Sequence, residues 1–386
     1  MSGPFRALPV LSSRARELEL CTYCPKLCRA ACPVSNAEPR ETLIPWGKMS
    51  TALFAARGDV PLDASHAATA WACTGCMACR DKCDHRNEVA PTLFDARAAF
   101  FEKGVAPAAA VRTSRRFASH EARTSRAVSR VAAKVPGVGE RGTPVLIGCA
   151  YARGLPDVAE HALSAAAKLV DGPVRAVAAC CGQPLRAAGD LAGYRAAVAR
   201  LEAELGDAER VVVVDPGCAA TVRSLGGTRS VPLLVELATA ALPRLERLSS
   251  DVPLRWHDPC SMSRGLGVTE APRAVLARIL GAPPGEFARS RSDGACSGGG
   301  GLLPATMPET SRTIAKTRVS EHEGEGGGEI VTGCASSLLR FRAAGARTSD
   351  LAVWIDRALR LLDAVGRSPA ASSRRSWWCC ARSASP

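Results

Sequence analysis

Aromatic side chains are scarce in this chain: Phe, Trp and Tyr make up 4% of its 386 residues. Lys and Arg outnumber Asp and Glu by 50 to 37, which leaves a net charge of +13. Charge of that size can signal nucleic acid, an anionic membrane surface or an acidic partner. Basic and aromatic residues do not alternate here, however, and no zinc-finger or RRM signature accompanies them. The arginines are scattered, with concentrations at Arg112 to Arg130 and at Arg374-Arg375. No nucleic acid partner is expected. The chain has no run of 18 or more apolar residues, so no transmembrane segment is expected, and any membrane contact would be peripheral, through partners. Near the start only Ala7-Leu-Pro-Val-Leu11 is apolar, and Arg14 and Arg16 follow it. That is no signal-peptide core, and a cytoplasmic, reducing location is expected. A Gly-x-Gly-x-x-Gly after a strand is also missing. Gly265-Leu-Gly267 is too short to stand in for it, which argues against a dinucleotide site.

Cysteine is what the chain has in excess, with 17 residues. Eight fall in two runs of four. The first is Cys21-Thr-Tyr-Cys24-Pro-Lys-Leu-Cys28-Arg-Ala-Ala-Cys32-Pro33, and the second is Cys73-Thr-Gly-Cys76-Met-Ala-Cys79-Arg-Asp-Lys-Cys83. The second run has the C-x2-C-x2-C-x3-C spacing of a [4Fe–4S] site, and the first ends in the Cys-Pro of bacterial ferredoxins. Three closely spaced thiolates hold three irons of one cube, and the fourth turns to the neighbouring cube. Cys21, Cys24, Cys28 and Cys83 are therefore expected on one cluster, and Cys73, Cys76, Cys79 and Cys32 on the other. Structural zinc uses separated C-x2-C pairs, which these runs fit poorly. The first run carries one extra residue between Cys24 and Cys28, expected to bulge the loop.

Apolar residues make up 47% of the chain, and its length suits two or three domains. Helical periodicity dominates up to residue 103, with no strand signal before residue 140. Residues 1–103 are therefore expected to form an α-helical ferredoxin domain with two clusters. Residues 104–143 are rich in Arg and Ala and read as a connector with a solvated face. Strands and helices then alternate. Val145-Leu-Ile147, Val174–Ala178 and Val211–Val214 read as strands of a first α/β module over 144–250. Val252–Trp256, Phe287–Arg291 and Glu329–Val331 read as strands of a second over 251–367. The tail, 368–386, contains Cys379-Cys380 and is expected to be disordered.

The remaining cysteines repeat. They fall at Cys149, Cys180-Cys181-Gly182 and Cys218, then at Cys260, Cys296-Ser297-Gly298 and Cys334. Thirty-six residues separate Cys181 from Cys218, and 36 separate Ser297 from Cys334. Each outer cysteine follows a predicted strand, where open α/β sheets bind ligands. Gly298 to Gly301 either brings backbone N–H groups to sulfur or forms an ordinary tight turn.

These runs, with Cys180-Cys181-Gly182, His257-Asp-Pro-Cys260 and Ala295-Cys-Ser-Gly-Gly-Gly-Gly301, resemble the CCG-domain iron–sulfur oxidoreductases. That family includes heterodisulfide reductase D-type subunits, the glycolate oxidase iron–sulfur subunit, lactate utilisation protein A and the C-type component of anaerobic glycerol-3-phosphate dehydrogenase. The resemblance covers about residues 17 to 365. It implies an α + α/β protein: a helical ferredoxin domain, then two repeated Rossmann-like cysteine-rich modules holding a redox-active metal site. It also implies an iron–sulfur electron-transfer subunit working with a flavoprotein dehydrogenase. Thr221, Ser297 and Ser337 stand where the family pattern has cysteine. Module one thus offers Cys149, Cys180, Cys181 and Cys218 to a third iron–sulfur or zinc site. Module two offers only Cys260, Cys296 and Cys334, with His257 a candidate fourth ligand. The alternative activity is reduction of a disulfide at the C-terminal metal site, with Cys180 and Cys181 catalytic.

Overall fold

The computed structural model describes residues 4–26 and 28–365. Up to residue 103 the described chain is helical. The helices Ala15–Thr22, Pro45–Arg57, Ala64–Trp71 and Val89–Glu102 surround a core of Leu18, Met49, Leu53, Trp71, Leu93 and Phe100. Gly58, at φ 82°, ends the Pro45–Arg57 helix, because a left-handed residue closes the last turn and glycine adopts it without strain. Asp63 caps the next helix by accepting from the His66 backbone N–H at 2.9 Å. Apart from Cys21, in the last turn of Ala15–Thr22, both cysteine runs lie in the short loops and turns between these helices.

Two four-stranded, wholly parallel sheets follow. The first contains β1 (Val138–Gly139), β2 (Thr143–Leu146), β3 (Val174–Ala176) and β4 (Val212–Val213) in the order β1-β3-β2-β4. The second contains β5 (Leu254–Trp256), β6 (Gly285–Glu286), β7 (Glu329–Thr332) and β8 (Thr348–Asp350) in the order β6-β5-β7-β8. Bridges from Arg210 to Ser230 and from Val213 to Leu233 lay a further extended segment beside β4. Leaving out the edge strand β1, the first sheet then runs in the same order as the second. Parallel neighbours need crossover helices. Pro156–Leu169 and Leu191–Leu205 serve the first sheet, and Glu270–Leu280 and Pro308–Gly324 the second. One apolar core runs through both, from Val145, Leu163 and Val212 to Trp256, Ile279 and Ile355.

Some expectations need correction. The segment 104–143, expected as a connector with a solvated face, forms the helices Ala108–Arg115 and Phe117–Ala132, and the second buries Phe117, Thr124, Ala127, Val128 and Val131. Thr124 and Ala127 interrupt the larger apolar residues of that face, which weakens its signal in the sequence. A strand does occur before residue 140, the two-residue β1. The strand expected at Phe287–Arg291 lies at Gly285–Glu286 instead, and Phe287 is buried beyond its end. The expected tail, with Cys379 and Cys380, lies outside the described residues.

A buried arginine of the Val89–Glu102 helix joins the helical part to the rest. Arg97 donates to the carbonyls of Ala70 at 3.0 Å, Cys73 at 2.6 Å, Ala187 at 3.1 Å and Gly301 at 3.0 Å. Burial lowers its pKa to about 10, so it stays charged at neutral pH. Removing it strands four buried acceptors, at a cost of about 1–3 kcal/mol for each group left unsatisfied. Arg97→Met should therefore lower stability by on the order of 3 kcal/mol or more, read as a shifted denaturant midpoint of the anaerobic protein. Arg97→Lys should recover only part, because an ammonium lacks the planar fork that reaches four carbonyls.

Candidate metal centres

The two cysteine runs lie close enough for Cys83 to neighbour the first and Cys32 the second. Burial pushes the Cys21 thiol up to about 12, with Cys28, Cys24 and Cys83 adding to the shift. Burial pushes Cys28 up to about 11, assisted first by Cys83. Cys83 thus stands with the first run. Cys79 is raised by burial and then by Cys73, Cys76 and Cys32. Cys32, Cys73, Cys76 and Cys79 line one cavity. The extra residue of the first loop is absorbed at Lys26, which adopts a left-handed φ of 67°. Cys28 keeps its place beside Cys21 and Cys24.

Lys48 lies on the wall of the second cavity and is 2% exposed. Its Nζ is 3.2 Å from Cys32 Sγ, and it also faces Cys73 and Cys79. A buried ammonium is tolerated only beside negative charge. Neutral thiols would not supply it, whereas thiolates bound to iron do. Four thiolates around one zinc ion would stand about 4 Å apart, given Zn–S bonds near 2.3 Å. Among the described residues no three sulfurs of the N-terminal runs gather that closely. The donor set and the buried cation both fit [4Fe–4S] clusters. Lys48 escaped the sequence reading, although a lone Lys in the apolar stretch Pro45–Ala56 was a visible signal.

The thiols of the cysteine-rich part follow strand ends, as the repeat implies, but they do not all meet. Four gather after the first sheet. Cys181 and Cys218 lie 3.2 Å apart, sulfur to sulfur, and Cys149 lies beside Cys180. Hydrogen bonds from Cys149 and Cys181 lower the pKa of Cys180 against the effect of burial. Asp215 holds the loop before Cys218 by accepting from the N–H groups of Gly217 at 2.9 Å and Cys218 at 3.3 Å. Thr221 accepts from Gln183 Nε2 at 2.9 Å.

The second sheet's thiols divide. Cys260 and Cys296 are hydrogen-bonding neighbours, and Cys296 also reaches Cys76 of the second N-terminal group. Cys296 Sγ sits 3.6 Å from Thr74 Oγ1. Cys334 instead faces Asp215 and Ser337. The two serines standing where the family pattern has cysteine, Ser297 and Ser337, are buried and bonded to each other at 2.9 Å. The glycine run does both things considered for it. Gly298 N–H donates to Cys296 Sγ at 3.3 Å, and a Cβ on Gly301 would fall 2.2 Å from the Cys73 carbonyl. Glycine is needed there for close backbone approach.

His257 does not complete a metal site. Its ring lies edge-on to Phe341, with centroids 4.7 Å apart, and to Phe287 at 6.2 Å. Its neighbour Asp258 is spent on structure, taking both forks of Arg273 at 2.9 and 2.8 Å. The histidine near thiols is His120, which the sequence reading missed. His120, Cys149 and Cys180 place one ligand atom each within 4.8 Å of one another. His120 sits on the Phe117–Ala132 helix, stacked on Phe117, with Nε2 3.8 Å from Cys180 Sγ and Arg153 Nη1 2.5 Å from Nδ1. Arg153 can only donate, so this network assigns the ring proton to Nε2, pointing at Cys180. Nothing in the cysteine spacing pointed to this helix.

Comparison with known proteins agrees with this layout. Residues 17–87 match the 4Fe-4S dicluster domain model, and residues 145–223 and 254–342 each match the cysteine-rich domain model. The chain carries a 4Fe-4S dicluster domain and two cysteine-rich domains. The B-type component of fumarate reductase (CoM/CoB) from Methanothermobacter marburgensis is 26% identical over 265 residues, covering 64% of this chain and 52% of that relative. The D-type component of dihydromethanophenazine:CoB–CoM heterodisulfide reductase from Methanosarcina acetivorans is 37% identical over 73 residues, 19% of this chain and 18% of that one. A probable membrane-anchored ferredoxin from Chromohalobacter salexigens is 39% identical over 79 residues, 20% of this chain and 12% of its own. The cysteine-rich-domain protein thus spans about half the length of the first of these relatives and much less of the others. No helix among its described residues is long and apolar enough to cross a membrane.

Two outcomes follow from the geometry. Cys32→Ser and Cys73→Ser should damage the same cluster in electron paramagnetic resonance spectra, and Cys83→Ser the other one. If Cys32→Ser instead perturbs the signal lost in Cys21→Ser, the crossed grouping is wrong. His257 is buried, and burial depresses its pKa from 6.5 to about 3. The unfolded chain takes up a proton that the folded chain refuses, so this group's stabilising contribution is present above pH 6.5 and is lost as pH falls toward 3. The slope is about 1.4 kcal/mol per pH unit in that window. His257→Phe should flatten this acid limb in denaturation measured from pH 7 to pH 4.

Proposed function

We propose that this chain is the iron–sulfur electron-transfer subunit of an oxidoreductase, carrying electrons between a flavin dehydrogenase partner and an acceptor. The observation that carries the reading is the pair of thiol quartets, with Cys76 of the second in reach of Cys296 and Cys260. Cys21, Cys24, Cys28 and Cys83 would hold one [4Fe–4S] cluster, and Cys32, Cys73, Cys76 and Cys79 the other. Such clusters move single electrons, at potentials set by charge and hydrogen bonding around the sulfurs. Lys48 and the Gly75 N–H, 3.4 Å from Cys73 Sγ, supply both at the second site. Cys149, Cys180, Cys181 and Cys218 form a candidate third metal site, with Cys180 and Cys181 innermost. The relatives named as reductase subunits support a multi-subunit setting. We take the division at residues 103, 143, 250 and 367, and a reducing, cytoplasmic location, as parts of the same reading.

Disulfide reduction at Cys180 and Cys181 is not carried forward. The match to a heterodisulfide reductase component covers under a fifth of either chain, too little to bring that chemistry with it. Anaerobically purified protein should contain about eight irons from the two quartets and accept electrons one at a time in a reductive titration. Purification from the native host under the same conditions should bring down a flavin-containing protein. Zinc alone at the N-terminal sites would overturn the cluster assignment. Full iron loading without a flavoprotein would leave the clusters standing and remove the proposed partner.

A further inference from the structure

A basic hollow lies beside the first thiol group, with His120, the neighbour of Cys180, in its lining. Arg112 and Arg116 reach it from the Ala108–Arg115 helix and its end, Arg123 from the Phe117–Ala132 helix, and Arg153 from the Cys149–Gly154 helix. His120 and Phe117 lie at the base. Pro184 and Ala305 close the sides, so both sheet-bearing parts of the chain contribute walls. The cavity measures about 290 Å³ and has no carboxylate in its lining. Among the described residues none of the four arginines makes an ion pair. Glu121, the acid next to His120, is turned away to Arg200 at 2.9 Å. The neighbouring groove shares Arg123 and Arg153 but continues along Arg126, Arg130 and Lys134, and it differs in that Glu160 lines it and pairs with Lys134.

Guanidinium groups cannot shed their charge, so four of them around one concavity repel one another until an anion enters. Their planar forks suit carboxylate and phosphate oxygens, two contacts at a time. The volume is at the small end for ligand sites, enough for a compact molecule and too small for a folded segment of a partner. Arg153 spends one N–H on His120 Nδ1, and His120 Nε2 faces Cys180. An anion seated here would therefore lie one imidazole away from Cys180.

We propose that this hollow binds a small polyanion bearing two or more carboxylate or phosphate groups. The site lies outside both matched cysteine-rich regions on its helical side, and it does not depend on the electron-transfer reading. Citrate and inorganic pyrophosphate are suitable probes for calorimetric titration of the anaerobic full-length protein at fixed ionic strength. The double variant Arg112→Gln/Arg116→Gln, at the two arginines that line the hollow and not the neighbouring groove, should weaken saturable binding at least tenfold, since each charge-assisted contact is worth about 1.5–3 kcal/mol. The control Arg126→Gln/Arg130→Gln removes the same charge from the adjacent groove and should change binding less than about twofold. Circular dichroism on both variants checks that the helices persist. Tighter binding of citrate would point to a carboxylate ligand, and of pyrophosphate to a phosphate. Equal weakening by both double variants would reduce the effect to diffuse surface charge and overturn the proposal. So would the absence of saturable binding by either probe, or displacement of both by poly-glutamate at equal charge concentration, which would make the hollow a landing place for an acidic protein.

Discussion

The structure depends on one unusual constraint: a guanidinium buried where four backbone carbonyls from distant parts of the chain converge. Arg97 comes from the last helix of the ferredoxin-like part, yet its acceptors include Cys73 in the second cysteine loop, Ala187 beyond β3 and Gly301 beyond β6. Each carbonyl would be costly to bury alone, and the charge would be costly to bury without them. Together they are satisfied in only one relative placement of the helical part and the two sheets. Arg264 repeats the device from the other side. It donates to the Cys76 carbonyl at 2.6 Å and to Ser292 and Gly294 at 2.8 and 2.7 Å. The second cysteine loop is thus clamped through its own backbone by arginines on both flanks. Its sulfurs need not contribute to holding it in place.

That clamping explains why the second quartet, rather than the first, meets the cysteine-rich part. The glycine run after Cys296 can lie directly on the Cys73–Thr74 backbone only because it has no side chains. Close approach then puts Cys296 beside Cys76. Each quartet has two buried and two half-buried thiols. Beside the first, Tyr23 is 73% exposed, whereas Cys76 of the second is in reach of Cys296. The seam between the two sheet-bearing parts holds buried polar groups, among them Asp356, bonded to His161 at 2.7 Å and Ser164 at 2.6 Å. Tyr151 donates to Asp350 at 2.7 Å, close to Asp215 and Cys334. Burial pushes the Asp350 carboxyl up to about 7, so near neutrality this seam carries less negative charge than its composition suggests.

Much of this was legible from spacing. The two cysteine runs, the alternation after residue 144 and the repeated 36-residue gap located the thiols at the ends of strands that the structure contains. Valine-rich strands such as Val211–Val214 announce themselves because a strand buried on both faces is apolar throughout. Thr348–Asp350 did not, since a short edge strand without apolar residues carries no such signal. The Phe117–Ala132 helix carried a weak signal because Thr124 and Ala127 interrupt the larger apolar residues of its buried face, and with it went His120 and the arginine-lined hollow. Metal-site patterns are written in local intervals. A residue that reaches a thiol from another helix, as His120 reaches Cys180 across 60 positions, leaves no interval to read.

The three positions that depart from the family pattern show why counting thiols was not enough. Ser297 and Ser337 could have marked an eroded site, with stray hydroxyls left in an apolar interior. Instead they satisfy one another at 2.9 Å, and Thr221 likewise accepts from Gln183. A paired hydroxyl costs little to bury, whereas an unpaired one costs on the order of 1–3 kcal/mol. Alcohols also stay protonated where thiols ionise, so these positions add no charge and no soft ligand. With the serines closed on each other, Cys260 and Cys296 are left to lean toward Cys76, and Cys334 toward Asp215. The second sheet is therefore not a weaker copy of the first thiol group. Its cysteines are divided between the ferredoxin-like part and the seam between the sheets, and only the first sheet keeps four thiols in one place.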